Sequence, residues 1–215
     1  LKGSITLNNK QNTQNSQYTN LNLNYHRKNF TQTLVSSYSD NTWVQGNSFV
    51  NTINENNIIT EGSTQNIFKR KNPSASSTSE YEINDKNTLG VILEFYQGKG
   101  NNTSELESTQ YNNGSFNFLR NQSQITNSTD RTLGSNLFYK YYDKEKNRIL
   151  DINLGSNYNG QSDNNYFLRN TAFTNGTEIQ ETGIVSDIEN RNYYIKIDYT
   201  QPIGKEGGNF EIGGK

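Results

Sequence analysis

Residues 137–154 read Leu-Phe-Tyr-Lys-Tyr-Tyr-Asp-Lys-Glu-Lys-Asn-Arg-Ile-Leu-Asp-Ile-Asn-Leu. Apolar side chains occupy alternate positions on both sides of the polar centre: Leu137, Tyr139 and Tyr141 before it, and Leu150, Ile152 and Leu154 after it. A period of two places such a set of side chains on one face of a β-strand. The segment therefore predicts two antiparallel strands that are joined by a turn at residues 143–147 and have one apolar and one polar face.

Three other segments of the chain have the same design, with turns at residues 26–29, 84–87 and 202–208. The alternation continues through the strands that flank these turns, in Leu21, Leu23, Tyr25, Phe30, Leu34, Tyr38, Tyr81, Ile83, Leu89, Val91, Leu93, Phe95, Tyr193, Ile195, Ile197, Tyr199, Phe210 and Ile212. Ile5 and Leu7 indicate one more strand at the start. The pattern predicts about nine antiparallel strands in a meander.

The bulk composition would suggest a disordered chain, since only 29% of the 215 residues are hydrophobic. Low hydrophobicity is typical of disorder, but so are high net charge and few aromatic residues. This chain has a net charge of −1 and 12% aromatic residues. A transmembrane β-barrel accounts for these values together, because only every second strand residue faces lipid while the lumen and the loops are polar.

No apolar run approaches the roughly 20 residues that a membrane helix needs, whereas 9–11 residues of a tilted strand cross a bilayer. The fold class predicted is therefore all-β, a segment of an antiparallel transmembrane β-barrel. Outer-membrane barrels have short periplasmic turns and long extracellular loops. The four short turns are then periplasmic, and the segments near 40–73, 100–130 and 160–189 are extracellular, with 51–60 and 105–111 extending the strands. A soluble β-sandwich or a solenoid is the alternative.

The residue types exclude most catalytic and metal chemistry. The chain has no Cys and a single His, His26, so thiol nucleophiles, zinc-finger sites and most histidine-based triads are excluded. Glu105 and Glu107 would share a face of a strand, but no cleft is indicated for them. We expect no enzyme activity, no catalytic residue, no cofactor and no metal. The densest basic cluster, residues 68–71, is interpreted as a solvated loop, and we expect no nucleic-acid binding.

Trp43 is the only tryptophan of the chain and follows a predicted strand. A Trp on an extracellular loop is a candidate anchor for a ligand. A Trp at the edge of a membrane is equally an interfacial anchor, and we favour this second interpretation. Trp43 is the one substrate-binding candidate, and the substrate itself is an unknown extracellular ligand.

Two stretches resemble a known family. They are Ile195-Lys-Ile-Asp-Tyr-Thr-Gln-Pro-Ile-Gly-Lys205 with Asn209-Phe-Glu-Ile-Gly-Gly-Lys215, and Tyr81-Glu-Ile-Asn-Asp-Lys-Asn-Thr-Leu-Gly90. Both resemble hairpins in the barrel domains of TonB-dependent receptor-like outer-membrane proteins of Gram-negative bacteria. The resemblance implies a 22-stranded barrel that an N-terminal plug occludes and that receives energy from the TonB protein. No residue of this chain matches a plug or a TonB box.

The resemblance and the strand pattern together predict that residues 1–215 are part of one outer-membrane β-barrel domain, without the plug or a signal peptide. The expected function is that of an outer-membrane receptor or transporter for TonB-dependent uptake. The expected partners are outer-membrane lipid, a TonB-type energy-coupling protein that acts through the plug, and the extracellular ligand. The alternatives are a non-transporting barrel that serves as a surface scaffold or adhesin, and a secreted soluble β-rich surface protein.

Overall fold

The computed structural model describes residues 1–11, 15–53, 57–203 and 208–214. These residues form nine strands: β1 (Lys2–Gln11), β2 (Asn15–Arg27), β3 (Phe30–Ile53), β4 (Ile58–Asn84), β5 (Asn87–Asn112), β6 (Ser115–Asp143), β7 (Arg148–Phe173), β8 (Gly176–Ile203) and β9 (Gly208–Gly214). The predicted all-β class and the predicted number of strands are confirmed. None of the described residues forms a helix long and apolar enough to span a membrane.

The strands form one antiparallel sheet in the order β1 to β9, so each strand pairs with its neighbours in the chain. This meander requires only hairpin connections, as the turn signals predict. Within the described residues, β1 and β9 lie at the edges of the sheet. The chain is therefore an open wall of nine strands, as expected for a segment of a barrel.

The far ends of the strands differ from the expectation of long loops. The segments 40–53, 58–73, 100–112, 115–130, 160–173 and 176–189 continue the sheet, and β3 to β8 contain 24 to 29 residues each. Asn113 and Gly114 join β5 to β6 with φ of 49° and 78°. Positive φ at both positions is the requirement of a type I′ turn, which Asn-Gly satisfies. The far connections between β5 and β6 and between β7 and β8 are thus tight turns on long hairpins.

The short turns at the other end contact one another. Asp143 accepts hydrogen bonds from the backbone amides of Glu145 and Lys146, at 3.1 and 3.3 Å, and so fixes the β6–β7 turn. The Lys86 ammonium, from the β4–β5 turn, lies 3.0 Å from the Asp143 carboxylate. The hydrogen bond from Lys86 is the main cause that lowers the pKa of Asp143. These contacts tie two neighbouring hairpins together at their ends.

The pairing register divides the sheet into two faces next to the short turns. Directly paired residues share a face, and the predicted apolar residues lie on one face, as in the row Phe30–Tyr81–Leu89–Tyr139, except Ile83, which lies at the register shift between Glu82 and Asn84. We call this side the apolar face, and its apolar zone the apolar belt. The belt comprises Ile5, Leu7, Leu21, Leu23, Tyr25, Phe30, Leu34, Tyr38, Tyr81, Leu89, Val91, Leu93, Phe95, Leu133, Leu137, Tyr139, Tyr141, Leu150, Ile152, Leu154, Tyr158, Tyr193, Ile195, Ile197, Tyr199, Phe210 and Ile212.

The belt crosses the strands obliquely. At the short-turn end it stops at Phe30, Tyr81 and Leu89, which are direct partners. On β6 to β8 the belt ends two residues closer to the short turns, at Tyr141 and its partners Leu150 and Tyr199. On β9 it extends one more alternate position, to Phe210, which pairs with Gln201. The edge therefore shifts by four residues along the strands between β3 and β9, as expected for strands that are staggered and tilted within a sheet.

Candidate functional site

The opposite side, which we call the polar face, carries most of the buried residues of the sheet. Phe118, Phe138, Ser108 and Thr171 are less than one-tenth exposed and lie on it, as do the buried Gly90 and Gly98, whereas Asp143, which is also buried, lies at a turn. Large apolar residues of the belt are half-exposed instead, such as Leu93 at 51% and Ile195 at 59%. Greater burial of one side indicates that the sheet curves towards its polar face.

Glycines make room for aromatic rings on the polar face. Gly90 pairs directly with Phe138, and Gly155 pairs directly with Tyr194. In both pairs the ring of the partner covers the glycine so closely that a β-carbon there would overlap it. This arrangement places an aromatic ring flat on a neighbouring strand, as in designed sheets where aromatic residues cover glycines. It accounts for the placement of the Phe138 and Tyr194 rings on this face.

Between these rings, the polar face opposite the belt carries hydrogen-bonded side chains. Ser37 and Ser74 lie 2.7 Å apart, and Asn136 donates to Asn153 at 3.2 Å. Similar pairs join Thr33 to Asn24 and Lys196 to Asp198. Amide, hydroxyl and charged groups in these rows are suited to contact with water or a polar ligand rather than lipid.

A cluster of polar residues lies on the polar face just beyond the belt, and we call it the Arg70 cluster. The Arg70 guanidinium lies 3.1 Å from the Asp130 carboxylate and donates to the Tyr96 hydroxyl at 3.3 Å. Arg70 also donates to Asn72 at 3.0 Å, and Tyr96 donates to the same amide oxygen at 3.1 Å. Arg70 and Asp130 are 60 residues apart in the chain, and the sheet brings them together across three strands.

The Arg70 cluster combines a permanent cation with a fixed orientation. The hydrogen bond with Tyr96 is the main cause that raises the pKa of Arg70 above its usual value. Gly98 lies beneath the cluster, where a β-carbon would meet Tyr96, Arg70 and Asp130. An arginine held by several hydrogen bonds presents its remaining donors in a fixed direction, which suits recognition of carboxylate or phosphate groups.

Trp43 lies next to this cluster, within β3 rather than on a loop. It pairs directly with Phe68 on the polar face, and the two rings stack with centroids 5.0 Å apart and an angle of 14° between their planes. Phe68 is two residues from Arg70 and therefore on the same face. Trp43 therefore lies on the face opposite the apolar belt, and its role as an interfacial anchor stays a prediction. A ligand contact by Trp43 stays a prediction.

Glu105 and Glu107 lie in β5 and share a face, as expected for a strand. They line a shallow depression of about 410 Å³ with Gln65, Asn121 and Ser123, on the distal part of the apolar face. Among the described residues, no group of three or more His, Cys, Asp or Glu is placed to hold a metal ion.

Sequence reasoning missed the Arg70 cluster because it treated residues 68–71 as one basic loop. The strand separates them: Lys69 and Lys71 lie on the apolar face, and Arg70 lies on the polar face. The period-two rule would have made this split, had the strand been recognised there. No local signal pairs Arg70 with Asp130, since that contact depends on the register of β4, β5 and β6.

Comparison with known proteins gives little beyond these observations. No protein-family model matches the chain, and no curated protein matches it. Among solved structures, the ferric yersiniabactin uptake receptor FyuA from Yersinia pestis is a weak neighbour, with 9% identity and a TM-score of 0.26. The match covers 89% of this chain and 36% of that receptor, so this chain spans about a third of its length.

Proposed function

We propose that the chain forms part of the wall of a bacterial outer-membrane β-barrel, and that the complete protein is a receptor that takes up an extracellular substrate. The observation that supports the proposal most directly is the division of the sheet into a belt of exposed apolar side chains and an opposite face of polar groups. One alternation is maintained from β1 to β9.

The exposed apolar side chains of the belt must be shielded from water. A soluble protein rarely exposes a continuous apolar patch larger than a few hundred Å². The belt extends over nine strands, and its large side chains, such as Leu93, Leu137 and Ile195, are about half exposed. From Leu150 to Tyr158 it would be roughly 21 Å tall at a tilt of about 40°, close to the apolar band of outer-membrane barrels. We therefore propose that the lipid bilayer contacts the belt.

The belt is interrupted on β3 and β4, where Gln32, Ser77 and Ser79 face the same side. Gln32 donates to Ser77 at 2.7 Å and accepts from Ser79, so these polar groups satisfy one another. Polar side chains that face hydrocarbon are costly unless they are hydrogen-bonded. The three residues therefore meet the condition that a lipid-facing position imposes.

The polar face would then line the lumen, and the Arg70 cluster with the Trp43–Phe68 stack would face it beyond the membrane. A stacked aromatic pair offers a flat apolar surface, and Arg70 offers a charged donor beside it. We propose that a substrate contacts this region before it passes along the polar rows of the lumen. Energy for release would come from a TonB-type protein of the inner membrane, acting through a plug.

The long hairpins favour one alternative, a barrel that acts as a surface scaffold or adhesin. β6 contains 29 residues, whereas 9–11 residues suffice to cross a bilayer. The remaining roughly 18 residues of this strand would extend about 47 Å beyond the membrane at 3.4 Å per residue and a tilt of about 40°. Such a projection presents a large surface to the exterior without requiring transport.

The barrel proposal is tested on the full-length protein, solubilised from the outer-membrane fraction with detergent. We expect a band that migrates faster in the unboiled sample than in the boiled sample, because a folded barrel resists the detergent until heated. Recovery of the protein in the soluble fraction, with equal mobility in both samples, would contradict the proposal and favour a secreted β-protein.

Gene deletions in the native host distinguish the uptake function from the scaffold function. If the protein is a TonB-dependent receptor, deletion of its gene and deletion of the energy-coupling protein should impair growth on the same limiting nutrient, with no additive effect. If it is a scaffold, its deletion should reduce surface attachment, and loss of the coupling protein should leave attachment unchanged.

A further inference from the structure

Four cations lie together on the apolar face, immediately beyond the belt. Lys69 and Lys71 lie on β4, Lys99 on β5 and Arg131 on β6, and all four side chains are exposed. Arg131 is two residues from Leu133, which ends the belt on β6, and Lys99 is four residues from Phe95, which ends it on β5. We call these residues the basic patch.

The register places like charges against one another in the basic patch. Lys71 and Lys99 are direct partners on β4 and β5. Lys69 is the next residue on the same face, and Arg131 lies diagonally from Lys99, whose direct partner is Thr129. Like charges directly opposite each other destabilise a sheet. The fold therefore keeps an arrangement that an anion would stabilise.

Few acidic groups balance the patch. Asp40 on β3 contacts Lys71 at 3.3 Å. Asp130, although next to Arg131 in sequence, is directed to the polar face and pairs with Arg70. The next carboxylates on the same face of these three strands are Glu61 and Glu105, eight and six residues from the nearest lysine. Three lysines thus face one nearby carboxylate, whereas Arg131 lines a second depression together with Asp187 and Glu189 of β8.

The patch also has a shape that could hold a small anionic group. A shallow depression of about 350 Å³ is lined by Lys69, Lys71 and Lys99. Asn101, Asn127 and Thr129 line it as well and supply further hydrogen-bond donors. Ammonium groups together with amide and hydroxyl donors are the usual ligands of phosphate oxygens in proteins.

We propose that the basic patch binds the phosphate groups of an anionic lipid in the outer leaflet, which rests on the proposed function as an outer-membrane barrel. In that orientation the short turns are periplasmic, so the patch lies on the lipid-facing side at the level of the outer headgroups. Basic residues at this depth attract anionic headgroups. The lipid chains would lie against Phe95 and Leu133, which follow the patch towards the membrane centre.

The test uses the full-length protein in neutral detergent and lipid A with two phosphates as the probe, measured by native mass spectrometry. The double variant K71Q/K99Q should bind lipid A about 10- to 30-fold more weakly than the unmodified protein. The matched control is K144Q/K146Q, which removes two exposed lysines from the β6–β7 turn and should bind within about twofold of the unmodified protein.

Two comparisons define the source of the phosphate. Lipid A without its phosphates should bind the unmodified protein as weakly as lipid A binds K71Q/K99Q. Inorganic phosphate at millimolar concentration should compete poorly, because it lacks the acyl chains. Equal binding of lipid A by K71Q/K99Q and the control, or competition by inorganic phosphate at the same concentration as lipid A, would overturn the proposal.

Heat-dependent gel mobility of the same preparations separates this inference from the proposed function. If all variants keep the mobility shift while lipid binding is unchanged in K71Q/K99Q, the barrel stands and the lipid site is wrong. If the unmodified protein shows no shift, the barrel proposal fails and the lipid site fails with it.

Discussion

The two ends of the long strands differ in their pattern of apolar and polar residues. Near the short turns, β5 carries Leu89, Val91, Leu93 and Phe95 on one face and Gly90, Ile92, Glu94 and Tyr96 on the other, whereas its distal half, from Lys99 to Gln110, has Leu106 as its one large apolar residue. Both halves pair in continuous register with β4 and β6. The comparison teaches that an apolar alternation marks the zone next to the short turns, while backbone pairing and tight turns maintain the sheet beyond it.

The largest effect that separates the two zones should come from a charge on the apolar face. Leu137→Arg in the centre of the belt should lower the free energy of unfolding by about 2–4 kcal/mol, since arginine there faces hydrocarbon. The matched change in the distal zone, Val185→Arg, should cost at most about 0.5 kcal/mol, since Val185 is exposed to water. Urea unfolding of the full-length protein in vesicles measures both, and equal losses would contradict a lipid-facing belt.

Alanine substitutions of two glycines should show a smaller difference in stability, because an aromatic ring covers one glycine and no atom lies near the other. Gly90→Ala should destabilise the protein by about 1–3 kcal/mol, because the new methyl group overlaps the buried Phe138 ring. Gly183→Ala, at a distal position with no atom near the new methyl group, should be neutral or stabilise by about 0.5–1 kcal/mol. The urea midpoint of each variant provides the measurement. A neutral Gly90→Ala would show that the ring does not cover the glycine.

The distal hairpins should weaken locally rather than globally. Gly114→Ala forces a methyl group into a left-handed conformation with φ of 78°, at a cost of about 1–2 kcal/mol. Hydrogen exchange at the tips of β5 and β6 should therefore become roughly 5- to 30-fold faster, while exchange in the belt stays unchanged. Faster exchange throughout β5 and β6 would indicate that the two zones unfold together.

The smallest expected effect lies at the short turns and depends on pH. Because Lys86 lowers the pKa of Asp143 in the folded protein, the carboxylate contributes stability above its usual pKa of 3.8. That contribution is lost as the pH falls through the lowered value. Asp143→Asn should therefore reduce the urea midpoint at pH 6, and the difference from the unmodified protein should shrink below pH 3.8. A difference that is independent of pH would assign the effect to turn geometry alone.

The sequence predicted the strands next to the short turns well because their signal is local. Alternation around residues 143–147 and the other turns defines strands, faces and connectivity without any knowledge of register. The distal strands were partly assigned to loops because residues such as 100–105 and 120–128 are polar on both faces and carry no apolar period. The Asn113-Gly114 turn was the available signal for a tight hairpin there, and it marks the tip of β5 and β6.

The candidate site was less accessible to sequence reasoning. Trp43 stood out as the single tryptophan, but its face depends on an unbroken register from Tyr38, and its partner Phe68 is 25 residues away. The Arg70–Asp130 contact and the Lys71–Lys99 pair likewise depend on how three strands align. Such contacts arise from pairing between distant segments, which a periodic pattern does not specify.

The central claim is that, at the level of the belt, the apolar face of the sheet contacts lipid and the polar face lines the lumen. Single cysteines at positions 91 to 96, introduced into a cysteine-free background of the full-length protein in native outer membranes, test it most directly. A lipid-soluble thiol reagent should label the variants at Val91, Leu93 and Phe95, and a charged water-soluble reagent should react preferentially at Ile92, Glu94 and Tyr96. Uniform reaction with the water-soluble reagent at all six positions would contradict the account.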